Sequence, residues 1–175
     1  KNKRQKIYLS YDSTNKNCQA GDIDLVEYGN VKVDAGLPIF NYSVACDSAN
    51  REPLFYELYP GSLNDASQLT CMIDKAQGYG YRNIGFILDR GYFSKKNLAY
   101  MNQNSYSFLI MVKGMKDFIR SIIEENQGDF ENSRGRYIDR YDVYGTTVKR
   151  FLCEGDTKKR NFHIYYSDGK AYSKK

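Results

Sequence analysis

The chain has 175 residues, enough for one domain with a sizeable core, or a core with a subdomain, and too few for two large independent domains. Aromatic residues supply 15% and charged residues 27% of the sequence, a composition that excludes a disordered protein. The 26 Lys and Arg outnumber the 21 Asp and Glu, and this modest positive balance fits a nucleic-acid partner without requiring one.

Some cofactors and locations are disfavoured as well. No apolar run approaches the roughly 20 residues of a membrane span, so we expect a cytoplasmic protein with no membrane partner. The four Cys form no Cys-x-x-Cys pair and His163 is the single His, so we expect no zinc site. The Gly-rich pieces match neither a P-loop nor a dinucleotide-binding pattern. The sequence begins without Met and stops in a polar stretch, so we expect a piece of a longer protein.

The first third of the chain predicts three strands, Ile7–Tyr11, Ile39–Cys46 and Leu54–Tyr59. In the third of these strands, Leu54, Tyr56 and Leu58 share one face. Gly, Pro and Asn separate the strands, as is typical of turns.

The middle of the chain alternates helices with apolar strands. An amphipathic helix follows the capping residues Ser62 and Asn64, and a second helix runs from the capping Ser94 to about Asn104. The continuous apolar runs Ile84–Leu88 and Phe108–Val112 predict two buried strands. This order predicts an α/β mixed sheet covered by helices, with the strands that precede Asp12 and Asp89 both central.

From Met115 onward the pattern changes to a short helix and then to Tyr-rich alternating segments. The segments predict antiparallel strands with turns at Gly145 and Gly155. Their predicted ranges are Tyr137–Tyr144, Thr146–Leu152 and Asn161–Tyr166.

Two aspartates carry most of the functional information. Asp12 and Asp89 each follow an apolar segment, where a strand is predicted to end. Each Asp alone is explained as a turn or cap residue, but a pair at the ends of adjacent central strands can share a divalent cation. Carboxylates without His or Cys select Mg²⁺ or Mn²⁺, and two such ions serve phosphoryl transfer at a nucleic-acid backbone.

Four stretches also carry a family resemblance: Tyr11–Thr14, Gly61–Asp65, Ile87–Phe93 and Tyr106–Lys113. In order and spacing they resemble the bacterial insertion-sequence DDE transposases of the insertion-sequence four group. The resemblance covers most of the chain. It implies a ribonuclease-H-like mixed sheet flanked by helices, with a β-rich insertion. Residues 1–114 would form this catalytic core without its final helix, and residues 115–175 the insertion and the start of the return to the core.

The resemblance implies that Asp12 and Asp89 are the first two catalytic acids and that they hold Mg²⁺ or Mn²⁺, with two ions in the intact site. The partner would be DNA, as transposon ends and target, and the parent protein would act as a dimer in the DNA complex. The candidate nucleic-acid-binding residues are Lys113, Arg90, Asn15 and Lys16, for which ordinary surface and loop positions are the alternative.

The same family uses a third acid, a Glu in a Tyr-x-x-Arg-x-x-x-Glu-x(6)-Lys motif after the insertion. The nearest approach here is Arg120–Glu124, in which Asp117 stands at the Tyr position and Glu131 at the Lys position. This stretch precedes the insertion, and a solvated helix face explains Glu124. We therefore expect the third acid to lie beyond Lys175 and the fragment alone to be inactive.

Two other function classes stay open from the sequence. One is a carboxylate-pair hydrolase such as a glycosidase, although the lack of Trp disfavours a sugar-stacking platform. The other is a non-catalytic DNA-binding or assembly module from a decayed element. Metal-dependent cutting of DNA would distinguish the transposase interpretation from these two alternatives.

Overall fold

The computed structural model describes residues 6–31, 36–126, 134–153, 155–156 and 158–167. The chain forms two compact units, Lys1–Lys113 and Gly114–Lys175. Within the described ranges, no helix is long and apolar enough to cross a membrane.

The first unit contains a five-stranded mixed sheet. Its strands are β1 (Ile7–Asn17), β2 (Ile39–Asp47), β3 (Glu52–Pro60), β4 (Ile84–Leu88) and β5 (Ser107–Ile110). The strand order is β3-β2-β1-β4-β5. β1 and β2 are antiparallel, as are β2 and β3, whereas β4 runs parallel to both β1 and β5. The predicted α/β, ribonuclease-H-like mixed sheet with two central Asp-bearing strands is confirmed.

Two helices cover one face of this sheet. Helix α1 spans Asp65–Gly78 and helix α2 spans Lys95–Gln103. The cap side chains of Asn64 and Ser94 accept hydrogen bonds from backbone N–H groups in the first turns, as the sequence predicted. The α1 residues Leu69, Met72, Ile73 and Ala76 are buried, so the amphipathic pattern is confirmed.

Within the first unit, the described residues leave the opposite face of the sheet largely uncovered, and we call it the open face. The side chains of Tyr56, Leu58 and Leu109 are 66%, 51% and 54% exposed. Tyr56 and Leu58 do share a face, as predicted, but the buried face of β3 belongs to Phe55, Glu57 and Tyr59. The prediction that Phe108–Val112 is buried was wrong. β5 lies at the edge of the sheet, and one of its two faces belongs to the open face, so its side chains are only partly buried or exposed.

The length of β1 was also mispredicted. The sequence suggested an end at Tyr11, but the strand continues to Asn17 because β2 pairs with it from Leu9 to Asn17. In the polar second half of β1, Ser13 and Asn15 are buried, and their side chains form hydrogen bonds. Asp12 therefore lies inside a strand and not at its end.

The second unit contains helix α3 (Lys116–Asn126) and a small antiparallel sheet. The strands are β6 (Tyr137–Ile138), β7 (Val143–Arg150) and β8 (Arg160–Tyr166), in the order β6-β7-β8. The predicted short helix and the predicted strands Thr146–Leu152 and Asn161–Tyr166 agree with α3, β7 and β8. The predicted strand Tyr137–Tyr144 was wrong, because a 3₁₀ helix at Asp139–Tyr141 interrupts it between β6 and the start of β7. The predicted turn at Gly145 was wrong, because Gly145 lies within β7 and pairs with Tyr165 of β8. Gly155, in contrast, has a φ of +84°, which suits a turn between β7 and β8.

Candidate active site

Asp12 lies on β1, and Asp89 directly follows the neighbouring strand β4 at the corresponding position of the pairing. The parallel pairing of β1 with β4 ends at the pair Tyr11 and Leu88, and an Asp follows each of these residues. Adjacent strands lie about 4.8 Å apart, so the two aspartate backbones are close neighbours although they are distant in the sequence.

Asp12 presents its side chain on the open face. Its neighbours Tyr11 and Ser13 are buried on the helix-covered face, while Asp12 itself is exposed. Asp12 Oδ1 accepts a hydrogen bond of 2.8 Å from the backbone N–H of Ser13. The carboxylate is thus fixed locally, with oxygen lone pairs left toward solvent.

Asp89 lies at the carboxyl end of β4, just before a short 3₁₀ helix at Arg90–Tyr92. It occupies the cap position of that helix, but its side chain makes no capping hydrogen bond. Within the part of the chain that the structure describes, neither Asp12 nor Asp89 forms an ion pair with a Lys or Arg. Capping therefore does not explain Asp89, and both carboxylates are available to a cation.

A layer of neutral tyrosines lies beneath these carboxylates. The rings of Tyr11 and Tyr92 lie 5.3 Å apart between centroids, and both residues are buried. Burial raises the pKa of both phenols far above the usual range. The two phenols therefore stay uncharged.

The four candidate DNA-binding residues are placed differently. Arg90 is exposed directly after Asp89, and Lys113 is exposed in the segment after β5. Lys16 is exposed on the same side of β1 as Asp12, about 13 Å further along the strand. Asn15 points to the opposite face, where it is 5% exposed and its Nδ2 donates to the Asn30 carbonyl at 2.8 Å.

The donor chemistry of the pair fits a hard divalent cation. Two carboxylates with open coordination positions suit Mg²⁺ or Mn²⁺, which keep waters or substrate phosphates as further ligands. Among the residues described, no group of three or more His, Cys, Asp and Glu could hold a metal ion. Glu124 is exposed on α3 in the second unit, and Glu131 lies outside the described residues.

The comparisons with known proteins identify the family. A family model described as "Transposase DDE domain" matches residues 26–173. This range is most of the chain, so the chain belongs to the DDE transposase domain family. The match includes Asp89 and begins after Asp12. No curated protein matches the chain.

Two solved structures are similar. One is described as "Mos1 transposase paired-end complex with left transposon end", with 13% identity, a TM-score of 0.38, and coverage of 77% of this chain and 47% of that chain. The other is "Cryo-EM structure of piggyBac transposase synaptic complex with hairpin DNA (SNHP)", with 14% identity, a TM-score of 0.42, and coverage of 91% and 32%. The chain thus spans about half of one of these proteins and a third of the other.

Proposed function

We propose that this chain is the part of a DNA transposase that supplies two acids, Asp12 and Asp89, for metal-dependent cleavage and joining of DNA phosphodiesters. The observation that supports this function most is that two exposed Asp residues directly follow the last residue pair between β1 and β4. Neither carboxylate has an ion-pair partner among the described residues, so the like charges would repel unless a cation joins them.

Asp12 and Asp89 are the residues that would hold Mg²⁺ or Mn²⁺. When bound, such ions supply Lewis acidity and stabilise the attacking and leaving oxygens of an in-line displacement. The protein contributes rigidity: Asp12 is anchored in the middle of a paired strand, and Asp89 directly follows a buried one. Both acids are thereby oriented before DNA binds.

The substrate is a DNA backbone. Arg90 and Lys113 follow the carboxyl ends of β4 and β5, and both are exposed where a phosphate could approach. Lys16 extends the basic groups along β1 on the side of Asp12. Cations beside a carboxylate pair offset the repulsion between the acids and the phosphates and fix the register of the backbone.

A third acid completes the site. Glu124 does not fit this role by sequence, since Asp117 and Glu131 replace the Tyr and Lys of the motif that the family resemblance implies. We place the third acid on another segment of the parent protein, and a chain without a third acid does not cut DNA. The open face beside Asp12 offers a surface on which such a segment can pack.

The proposal places the parent protein in the bacterial insertion-sequence four group. This placement is supported by the resemblance of four stretches: Tyr11–Thr14, Gly61–Asp65, Ile87–Phe93 and Tyr106–Lys113. The parent then acts in the cytoplasm on transposon ends and target DNA as a dimer. A glycosidase is not favoured: a carboxyl general acid needs an apolar enclosure, and both Asp12 and Asp89 are exposed.

The test is DNA cutting by the full-length parent protein with Mg²⁺ and DNA that carries its own element ends. Asp89→Asn should lower the cutting rate by about 1,000-fold or more, because several kcal/mol of transition-state stabilisation are lost. Asp74→Asn, an exposed Asp on α1, is the matched control and should cut normally.

Normal cutting by Asp89→Asn would contradict the proposal. Salt-sensitive DNA binding without any metal-dependent cutting would favour the non-catalytic module instead. Metal-independent hydrolysis of an oligosaccharide would favour a glycosidase.

A further inference from the structure

We propose that Asp65 is a positioning residue that fixes Asp12 and Asp89 relative to each other from the helix-covered side of the sheet; this inference rests on the proposed function. Asp65 is the first residue of α1 and touches neither acid directly. It acts through the residue after Asp12 and through the loop after Asp89.

The first connection is to β1. The Ser13 hydroxyl donates a hydrogen bond of 2.6 Å to Asp65 Oδ1. Ser13 is 6% exposed and adjoins Asp12, whose own Oδ1 accepts from the Ser13 N–H. Hydrogen bonds to a charged group are among the stronger ones, so this contact ties the half-buried Asp65 to β1 directly after Asp12.

The second connection is to the loop that carries Asp89. A Cβ added to Gly91 would lie 3.0 Å from Asp65 Oδ2, so the carboxylate packs directly against this backbone. Gly91 is the residue after Arg90 in the short 3₁₀ helix that follows Asp89. The two oxygens of Asp65 thus face the two segments of the site, one each.

The third observation is the rigidity around Asp65. Tyr59, which is 2% exposed, donates to Asp65 Oδ1 at 3.0 Å. Asn97 of α2, which is 2% exposed, donates to the carbonyls of Ala66 and Tyr92 at 2.8 and 2.9 Å. Asn97 therefore joins the first turn of α1, next to Asp65, to the loop after Asp89.

A simpler explanation assigns Asp65 only to the favourable interaction between an acidic side chain and the N-terminus of a helix. That role depends on charge and tolerates Glu. Positioning depends on the location of the oxygens, so it tolerates Asn and does not tolerate the additional methylene of Glu against Gly91. Asn64, and not Asp65, supplies the cap hydrogen bond of α1.

The experiment is a Mn²⁺ titration of this chain followed by paramagnetic broadening of backbone amide signals. Asp65→Ala and Asp65→Glu should weaken Mn²⁺ binding about 10-fold, the effect typical of residues that orient metal ligands. Asp65→Asn should stay within about threefold of the unchanged chain, because it keeps an oxygen at the Ser13 position. Binding in Asp65→Glu equal to that of the unchanged chain would overturn the proposal.

The matched control is Glu57→Gln. Glu57 is a buried carboxylate on the same face, and it accepts hydrogen bonds from Tyr11 and Gln68. This control should lose stability and keep its Mn²⁺ affinity. Equal loss of Mn²⁺ affinity in Glu57→Gln and Asp65→Ala would overturn the specific role of Asp65.

Amide hydrogen exchange gives a second readout without metal. The Tyr92 and Phe93 N–H groups donate to the carbonyls of Asp89 and Arg90, so they report the order of the loop. Asp65→Ala should speed their exchange about 10-fold and leave the Asn104 amide unchanged. If no variant binds Mn²⁺, including the unchanged chain, the proposed function fails and this exchange alone decides the role of Asp65. Unchanged exchange of the Tyr92 and Phe93 amides in Asp65→Ala would overturn the positioning role of Asp65.

Discussion

Tyr11 and Leu88 face each other as the last residue pair of the parallel β1 and β4, and an Asp follows each of them. This relationship explains why two acids that are distant in the sequence become neighbours. It also explains why Asp12 is exposed: successive side chains along β1 point to opposite faces of the sheet, so Asp12 lies on the face opposite to the buried Tyr11.

The first prediction concerns Gly85, which pairs with Tyr8 across β4 and β1. A Cβ at Gly85 would approach the Tyr8 ring to 2.7 Å, so Gly85→Ala should destabilise the chain by about 1–3 kcal/mol through overpacking. Urea unfolding measures the effect. In the double variant with Tyr8→Ala the ring contact is absent and only a 3.2 Å approach to the Ser107 carbonyl oxygen remains, so an undiminished Gly85→Ala penalty there would contradict this explanation.

The second prediction concerns the buried carboxylate of Glu57. It accepts hydrogen bonds from Tyr11 and Gln68 at 3.0 and 3.1 Å, and Lys75 lies 3.5 Å away. Glu57→Ala should lower the free energy of unfolding by about 2 kcal/mol, because buried donors lose their acceptor. Chemical unfolding monitored by circular dichroism measures it, and Glu52→Ala, at an exposed position of the same strand, should change little.

The third prediction concerns alkaline pH. Burial raises the pKa of Tyr11, Tyr59 and Tyr92 in the folded chain, so these phenols keep their protons above the pH at which unfolded tyrosines lose them. The stabilisation is complete below about pH 10 and declines as the pH rises, by about 1.4 kcal/mol per pH unit for each such group.

An absorbance titration of the 17 tyrosines checks this expectation. Hydrogen bonding to Asp142 raises the pKa of Tyr137 to about 12, so this phenol should ionise late in the titration. The three buried phenols should ionise only together with the loss of the native circular dichroism signal. Ionisation of all 17 near pH 10 in a chain that stays folded would be inconsistent with the structure.

The fourth prediction concerns DNA affinity. Lys113→Ala should weaken binding of this chain to duplex DNA. It should also lower the slope of log affinity against log salt concentration by about the amount that one phosphate contact contributes. Lys96→Ala, at an exposed position on α2 on the helix-covered side, should have a smaller effect. Equal slopes for both variants would remove Lys113 from the proposed DNA path.

The sequence predicted the elements whose signals are local. Helices α1 and α2 have Asn64 and Ser94 as caps, and β4 is a continuous apolar run, so their ranges agree closely with the structure. The length of β1 depends on pairing with β2, and the exposure of β5 depends on its position at the sheet edge. Such features are set by partners that are distant in the sequence and have no local signal.

The same distinction applies to the candidate site. Asp12 and Asp89 could be proposed because both follow apolar segments, although Asp12 lies inside its strand. The link from Ser13 to Asp65 and Gly91 could not be proposed from the sequence. Asp65 directly follows a capping residue, and this position indicated only the start of a helix. Asn15 was a candidate by proximity in the sequence, but strand alternation turns it away from Asp12.

The central claim, that Asp12 and Asp89 share a divalent cation, is tested most directly by Mn²⁺ binding to this chain. Paramagnetic broadening should centre on the amides next to Asp12 and Asp89, and it should disappear in Asp12→Asn and in Asp89→Asn while Asp74→Asn retains it. Mg²⁺ should compete with this broadening, because both ions prefer carboxylate oxygens. Broadening at the same amides with unchanged affinity in the Asp12→Asn, Asp89→Asn double variant would contradict the claim.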